Sequence, residues 1–163
     1  MKKQILSIIS SVAVFAMMLT VSIVHVEASE TETKKVDGSY LTTEESSTGY
    51  SYNRTRGIDL MTGDCTISKA GRGRVYAYAS TTATHEVNYI ATIVYVDRYL
   101  EDVDAWGQVD WWMEDVENDI FLSTAKTINV DRGYYYRVRA RHVAGNVSPY
   151  EETASFTDGI FIN

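Results

Sequence analysis

The chain has 163 residues, with 22 Asp and Glu against 15 Lys and Arg, a net charge of −7, and one cysteine. An acidic balance argues against nucleic acid and anionic membrane as partners, because both repel it. The single thiol, Cys65, excludes an intramolecular disulfide, so a hydrophobic core of ordinary size has to hold the fold.

Met1-Lys2-Lys3 is a basic start, followed by an uncharged run from Ile5 to Val24 and then Val26-Glu27-Ala28. This is the layout of a secretory signal peptide, residues 1–28, cleaved after Ala28. The run nears the roughly 20 residues that span a bilayer, so an uncleaved anchor is the competing reading. Either way the remaining chain lies outside the membrane. The leader carries no cysteine at its cleavage site, and no cell-wall sorting tail precedes Asn163. Release as a secreted, extracellular protein without a stable membrane anchor is therefore expected. The lone cysteine points to a Gram-positive exporter, which does not depend on disulfides.

Residues 29–53 are rich in Ser, Thr, Glu and Gly, with Tyr40, Leu41 and Tyr50 as the few large apolar groups. Such a segment buries little surface and reads as a flexible acidic tether. A β-domain is expected over 54–163. Strands are predicted over 57–63, 65–70, 74–80, 87–100, 106–116, 120–130, 133–143 and 153–162, split by Gly, Asp and Asn. The segment 87–100 is apolar on both faces, as a strand covered on both sides would be. About eight strands without an intervening helix predict an all-β, antiparallel β-sandwich.

One local pattern is specific. Val130-Asp131-Arg132-Gly133 leads into Tyr136, which sits in the alternating run Tyr136-Arg137-Val138-Arg139-Ala140. This resembles the tyrosine corner of immunoglobulin-like and fibronectin type III sandwiches, which implies that the tyrosine hydroxyl bonds to upstream backbone. The resemblance covers about twenty residues of a domain that usually has roughly 100. A proline-rich first strand is missing, and Trp106, Trp111 and Trp112 do not fall at that family's core tryptophan. Gly71-Arg72-Gly73, Tyr95-Val96-Asp97-Arg98-Tyr99, Trp106 and Gly133 to Val138 together resemble an uncharacterised family of small secreted proteins of Gram-positive bacteria, a domain of unknown function. That likeness implies no activity.

The strand after Gly133 separates into two faces. Tyr134, Tyr136, Val138 and Ala140 point one way; Tyr135, Arg137, Arg139 and Arg141 point the other. Three arginines on one face could bind carboxylates or phosphates. They could equally pair across strands with acids such as Asp110 and Glu114, which is the more economical use in an acidic chain. Trp111 and Trp112 must face opposite sides of their strand. Trp112, Tyr135, Arg137 and Arg139 are the expected ligand-binding residues, since an exposed aromatic platform beside arginines suits a sugar ring.

Other chemistries are weakly supported. The acidic loops Asp97 to Asp104 and Glu114 to Asp119 offer hard oxygens for calcium but lack EF-hand spacing. Cys65 with His85 or His142 could formally form a dyad, yet Cys65 follows a turn and reads as a buried hydrophobe. There is no Gly-x-Ser-x-Gly elbow and no His-Glu-x-x-His pair. No catalytic residue, metal or cofactor is assigned, and an enzyme is not expected. The expected role is non-catalytic binding of an extracellular or cell-envelope ligand, a glycan or a protein. The alternative is a secreted antagonistic or signalling protein, bacteriocin-like, that acts on neighbouring cells.

Overall fold

The computed structural model describes residues 34–51 and 57–163, and the leader lies outside the described residues. Strict alternation of small or branched apolar side chains decides the architecture. The chain forms strands β1 (Lys35–Val36), β2 (Ser39–Thr42), β3 (Ser46–Tyr50), β4 (Leu60–Lys69), β5 (Arg74–Val87) and β6 (Tyr89–Leu100). A 3₁₀ turn (Glu101–Val103) precedes β7 (Ala105–Val116), β8 (Asp119–Asn129), β9 (Tyr134–Gly145), β10 (Glu151–Phe156) and β11 (Gly159–Ile162). No described helix is long and apolar enough to cross a membrane.

The strands make two packed sheets, an all-β sandwich. The smaller sheet has the order β3-β4-β5-β8. The larger runs β1-β2-β11-β9-β6-β7, with β10 also paired to β9. Pairing is antiparallel throughout except between β11 and β2. Every second side chain of β4, β5, β6 and β9 points between the sheets, where burial of each large aliphatic group contributes about 1.5–3 kcal/mol.

The interior is layered. One cluster contains Ile67, Val75, Ala79, Val94, Val96, Tyr136, Val138, Ala140 and Ile160. A second contains Leu60, Ala83, Val87, Ile90 and Ala144. Between them, at the intervening inward positions of β5, β6 and β9, lie Thr81, Thr92 and His142. His142 Nδ1 meets Thr81 Oγ1 at 3.0 Å and Nε2 meets Ser155 Oγ at 2.8 Å. Thr81 and Thr92 share a hydrogen bond of 2.6 Å. Gly63 makes room for this layer: a Cβ there would stand 2.1 Å from the His142 ring.

The tyrosine corner forms. The Tyr136 hydroxyl donates to the Asp131 carbonyl at 2.8 Å, and Gly133 adopts φ +87°, which favours glycine. Two expectations change. The stretch read as a tether contributes β1, β2 and β3, so 35–50 is sheet; 29–33 and 52–53 lie outside the described residues. Backbone ladders at sheet edges hold this polar segment, with help from buried Val36 and Ser39. Gly49 also lies so close to Phe156 that a Cβ would overlap its carbonyl.

The strand count is eleven rather than about eight. The two strands expected over 57–70 are the single strand β4, and the last one breaks into β10 and β11. At that break Thr157 Oγ1 accepts the Val138 N–H at 2.9 Å, so a side chain replaces a rung of the ladder.

Burial pushes the His142 imidazole down from 6.5 to about 4. The folded protein therefore takes up this proton less readily than the unfolded chain. The stability that follows is complete above pH 6.5 and is lost as pH falls towards 4. The loss amounts to at most about 3 kcal/mol. Urea midpoints should fall between neutral pH and the low end of this window, and His142→Gln, which cannot titrate, should remove most of that fall. An equal fall in both proteins would rule out His142 as its source.

Candidate functional site

The outer face of the larger sheet carries the chemistry. Neighbouring strands β9, β6 and β7 bring Arg139, Tyr95 and Trp111 into one cross-strand row. The Arg139 guanidinium lies 3.9 Å from the Tyr95 ring centroid. Tyr95 and Trp111 stack at 6.4 Å with 23° between their planes. Trp111 is 56% exposed, so one side of the row ends in an open indole.

A second row lies alongside. Arg137 opposes Asp97, which opposes Gln108. Its guanidinium has Trp106 on one ring contact at 4.5 Å and Phe156 on another at 5.6 Å. Arg137 Nε donates to Asp97 Oδ2 at 3.3 Å and Nη1 donates to Ser39 Oγ and the Asp37 carbonyl. Arg139 Nε reaches the same Asp97 oxygen at 2.9 Å, and its Nη2 reaches Gln108 Oε1 at 3.2 Å. Asp97, Trp106, Gln108, Arg137, Arg139 and Phe156 line a depression of about 370 Å³, at the small end of ligand sites.

The expected site residues divide. Tyr135, Arg137 and Arg139 share this face, and of these two arginines Arg139, with a side chain 30% exposed, is the one a ligand can reach. Arg137 has a side chain 3% exposed and acts as a structural cation. Arg141 is exposed but engaged by a two-pronged pair with Glu152, at 2.7 and 2.6 Å, which also holds the Glu152 carboxyl below its ordinary range. Tyr135 packs edge-on against Phe161 at 5.1 Å, one step along β9.

Trp112 lies on the opposite side of β7 from these residues. It opposes Val94, packs against the main core cluster and donates from Nε1 to Thr124 Oγ1 on β8 at 3.0 Å. The exposed member of the pair is Trp111. The reason is a bulge: Val96 pairs with Asp110 but Asp97 pairs with Gln108, leaving Val109 over. One extra residue reverses which side chains face out, so even-numbered Trp106 and Gln108 share a face with odd-numbered Trp111. Tyr95, Asp97 and Trp106 were noted in the sequence only for a family likeness, and Asp97 also as a calcium candidate; none of them, nor Gln108, was joined to the arginines, for which an aspartate within a doubly apolar strand was the available signal. The acids expected as arginine partners also differ. Asp110 pairs with Lys126 at 3.1 Å, and Asp97 and Glu152 take the arginines instead.

No protein-family profile matches the chain, and no curated protein matches it.

Other candidates are placed as follows. Cys65 is buried, donates to the Val138 carbonyl at 3.6 Å and has its thiol pushed up to about 12 by burial, which suppresses thiolate. His142 belongs to the interior layer, whereas His85 is exposed and sits 3.2 Å from Asp59. Among the described residues no group of three or more His, Cys, Asp or Glu side chains could hold a metal ion. In the first acidic loop, Asp104 is held by Lys34 at 2.9 Å and by the Tyr99 hydroxyl.

These placements separate by stability. Asp97→Ala strands two guanidiniums and should cost about 3–5 kcal/mol. Trp112→Ala should cost at least about 2 kcal/mol through lost packing, and Trp111→Ala should stay within about 0.5 kcal/mol. Urea unfolding of the three variants checks the order; a larger cost for Trp111→Ala than for Trp112→Ala would reverse the assignment of faces.

Proposed function

We propose that this chain is an exported, non-catalytic binding module that engages a cell-envelope glycan through the outer face of its larger sheet. The open Trp111–Tyr95–Arg139 row is the observation that carries this reading. Aromatic faces supply broad, weakly hydrated surface against which the apolar C–H face of a pyranose ring can stack. The neighbouring arginine supplies rigid donors for its hydroxyls. Across strands spaced about 4.8 Å apart, the row from β9 to β7 is about 10 Å long, enough to follow more than one ring.

The sequence supports the setting. The leader is that of a secreted protein, and the likeness to small secreted proteins of Gram-positive bacteria fits an envelope ligand. The interior position of His142 and the suppressed Cys65 thiol favour binding over catalysis. An antagonistic protein acting on neighbouring cells is the competing role.

Retention of the purified protein on insoluble Gram-positive cell-wall material tests the proposal. Wild type should be retained, and Trp111→Ala should weaken retention at least about tenfold, which is about 1.4 kcal/mol. Retention unchanged by Trp111→Ala would refute the site. Growth inhibition of neighbouring strains, unaltered by the same substitution, would favour the antagonist role.

A further inference from the structure

Asp97 is 2% exposed, and its two oxygens are used unequally. Oδ2 accepts from Arg137 and Arg139, whereas Oδ1 is buried and has no hydrogen-bond partner among the described residues. A buried carboxylate oxygen without a donor costs free energy, and native structures rarely leave one. The unserved oxygen belongs to a side chain that lines the depression beside the aromatic row.

The nearest groups complete a recognition pattern. Arg139 uses Nε and Nη2 within the protein, and Nη1 makes no hydrogen bond among the described residues. Gln108 is exposed at the rim and its carboxamide oxygen is held by Arg139 alone, so it can give way to an incoming group. Asp97 Oδ1 is buried, so it becomes an acceptor for a ligand, next to the donors of Arg139, only when Gln108 moves away. A hydroxyl is both donor and acceptor, and two adjacent hydroxyls satisfy both sides at once.

Charge selects further. Asp97 and Asp37 oppose Arg137 and Arg139, so the two cations and two anions cancel locally. An anionic group would meet no net attraction, and it has no proton to give Asp97 Oδ1. By the same balance an amine would meet no net attraction.

We infer that the depression beside Trp111 reads a vicinal diol of a neutral polysaccharide, one hydroxyl donating to Asp97 Oδ1 and its neighbour accepting from Arg139. This rests on the glycan-binding reading above and specifies its substrate class. Gln108 swings aside on entry, and the next ring lies on the open indole of Trp111.

Affinity electrophoresis of the protein in gels holding xylan, mannan or mixed-linkage β-glucan, against polygalacturonate at the same ionic strength, tests it. At least one neutral polymer should retard the wild type, and polygalacturonate should not. Asp97→Asn turns its oxygen towards the arginines and puts an amide donor where the acceptor was, so it should weaken retardation at least tenfold. Circular dichroism monitors its fold. If Asp97→Asn does not fold, Arg139→Lys keeps the charge, loses the fork and should weaken retardation at least fivefold. Equal or stronger retardation by polygalacturonate would overturn the neutral class, as would full binding by a folded Asp97→Asn. Retardation by no polymer, with cell-wall retention still dependent on Trp111, would overturn the diol inference and leave the earlier reading standing. Polymer binding indifferent to Trp111→Ala would overturn the earlier reading itself.

Discussion

The contact between Asp97 Oδ2 and two guanidiniums, 3.3 Å from Arg137 and 2.9 Å from Arg139, anchors the outer face of the larger sheet. Removing these charges from water is expensive, and one carboxylate alone repays little of that cost. The protein completes the balance by other means. Ser39 Oγ and the Asp37 carbonyl accept from Arg137, and Trp106 and Phe156 cover its planar faces. The same guanidinium thus ties the turn between β1 and β2 to the centre of the sheet. A Ser- and Thr-rich segment with little to bury becomes ordered because its polar groups complete a buried cation.

The interior applies the same rule in a neutral form. Thr81, Thr92, His142 and Ser155 form a hydrogen-bonded band between two apolar clusters. Each buried polar atom in such a band needs its partner, so the band tolerates only the register that supplies them. Gly63 shows how closely the backbone is adjusted to it: β4 runs so near the imidazole that no side chain fits. The two sheets are thereby locked in one alignment, and that alignment fixes which strand residues reach the outside.

The two outer faces differ in kind. The smaller sheet mixes the hydroxyls of Thr48 and Thr66, linked by a hydrogen bond, with the exposed rings of Tyr50, Tyr76 and Phe121. The larger sheet shows stacked rings and guanidiniums around a depression. Stacking fixes the aromatic and arginine side chains before any ligand arrives, which lowers the entropy lost on binding. The stacked arginine–aromatic rows around a depression are what set the larger sheet apart.

Much of this was legible in the sequence. Alternation along β4 to β9 gave the all-β sandwich, because period-two patterning is a local property of the chain. The likeness of Val130 to Tyr136 to a tyrosine corner implied the corner hydrogen bond, and the parity of β9 placed Tyr135, Arg137 and Arg139 on one face. The strands between Lys35 and Tyr50 were not legible, since they are held by ladders and polar contacts with distant residues rather than by their own apolar pattern. The exchange of Trp111 for Trp112 has the same origin. The sequence alone determined that the two indoles point apart; which one points outward depended on the bulge at Val109, a property of pairing between β6 and β7. Asp97 could be read as an acid in an apolar strand, but its two arginines and its unserved oxygen exist only once β6 and β9 lie side by side. Local sequence set the alternation, and tertiary pairing set its phase, because a shift of one residue in register turns every following side chain to the other face.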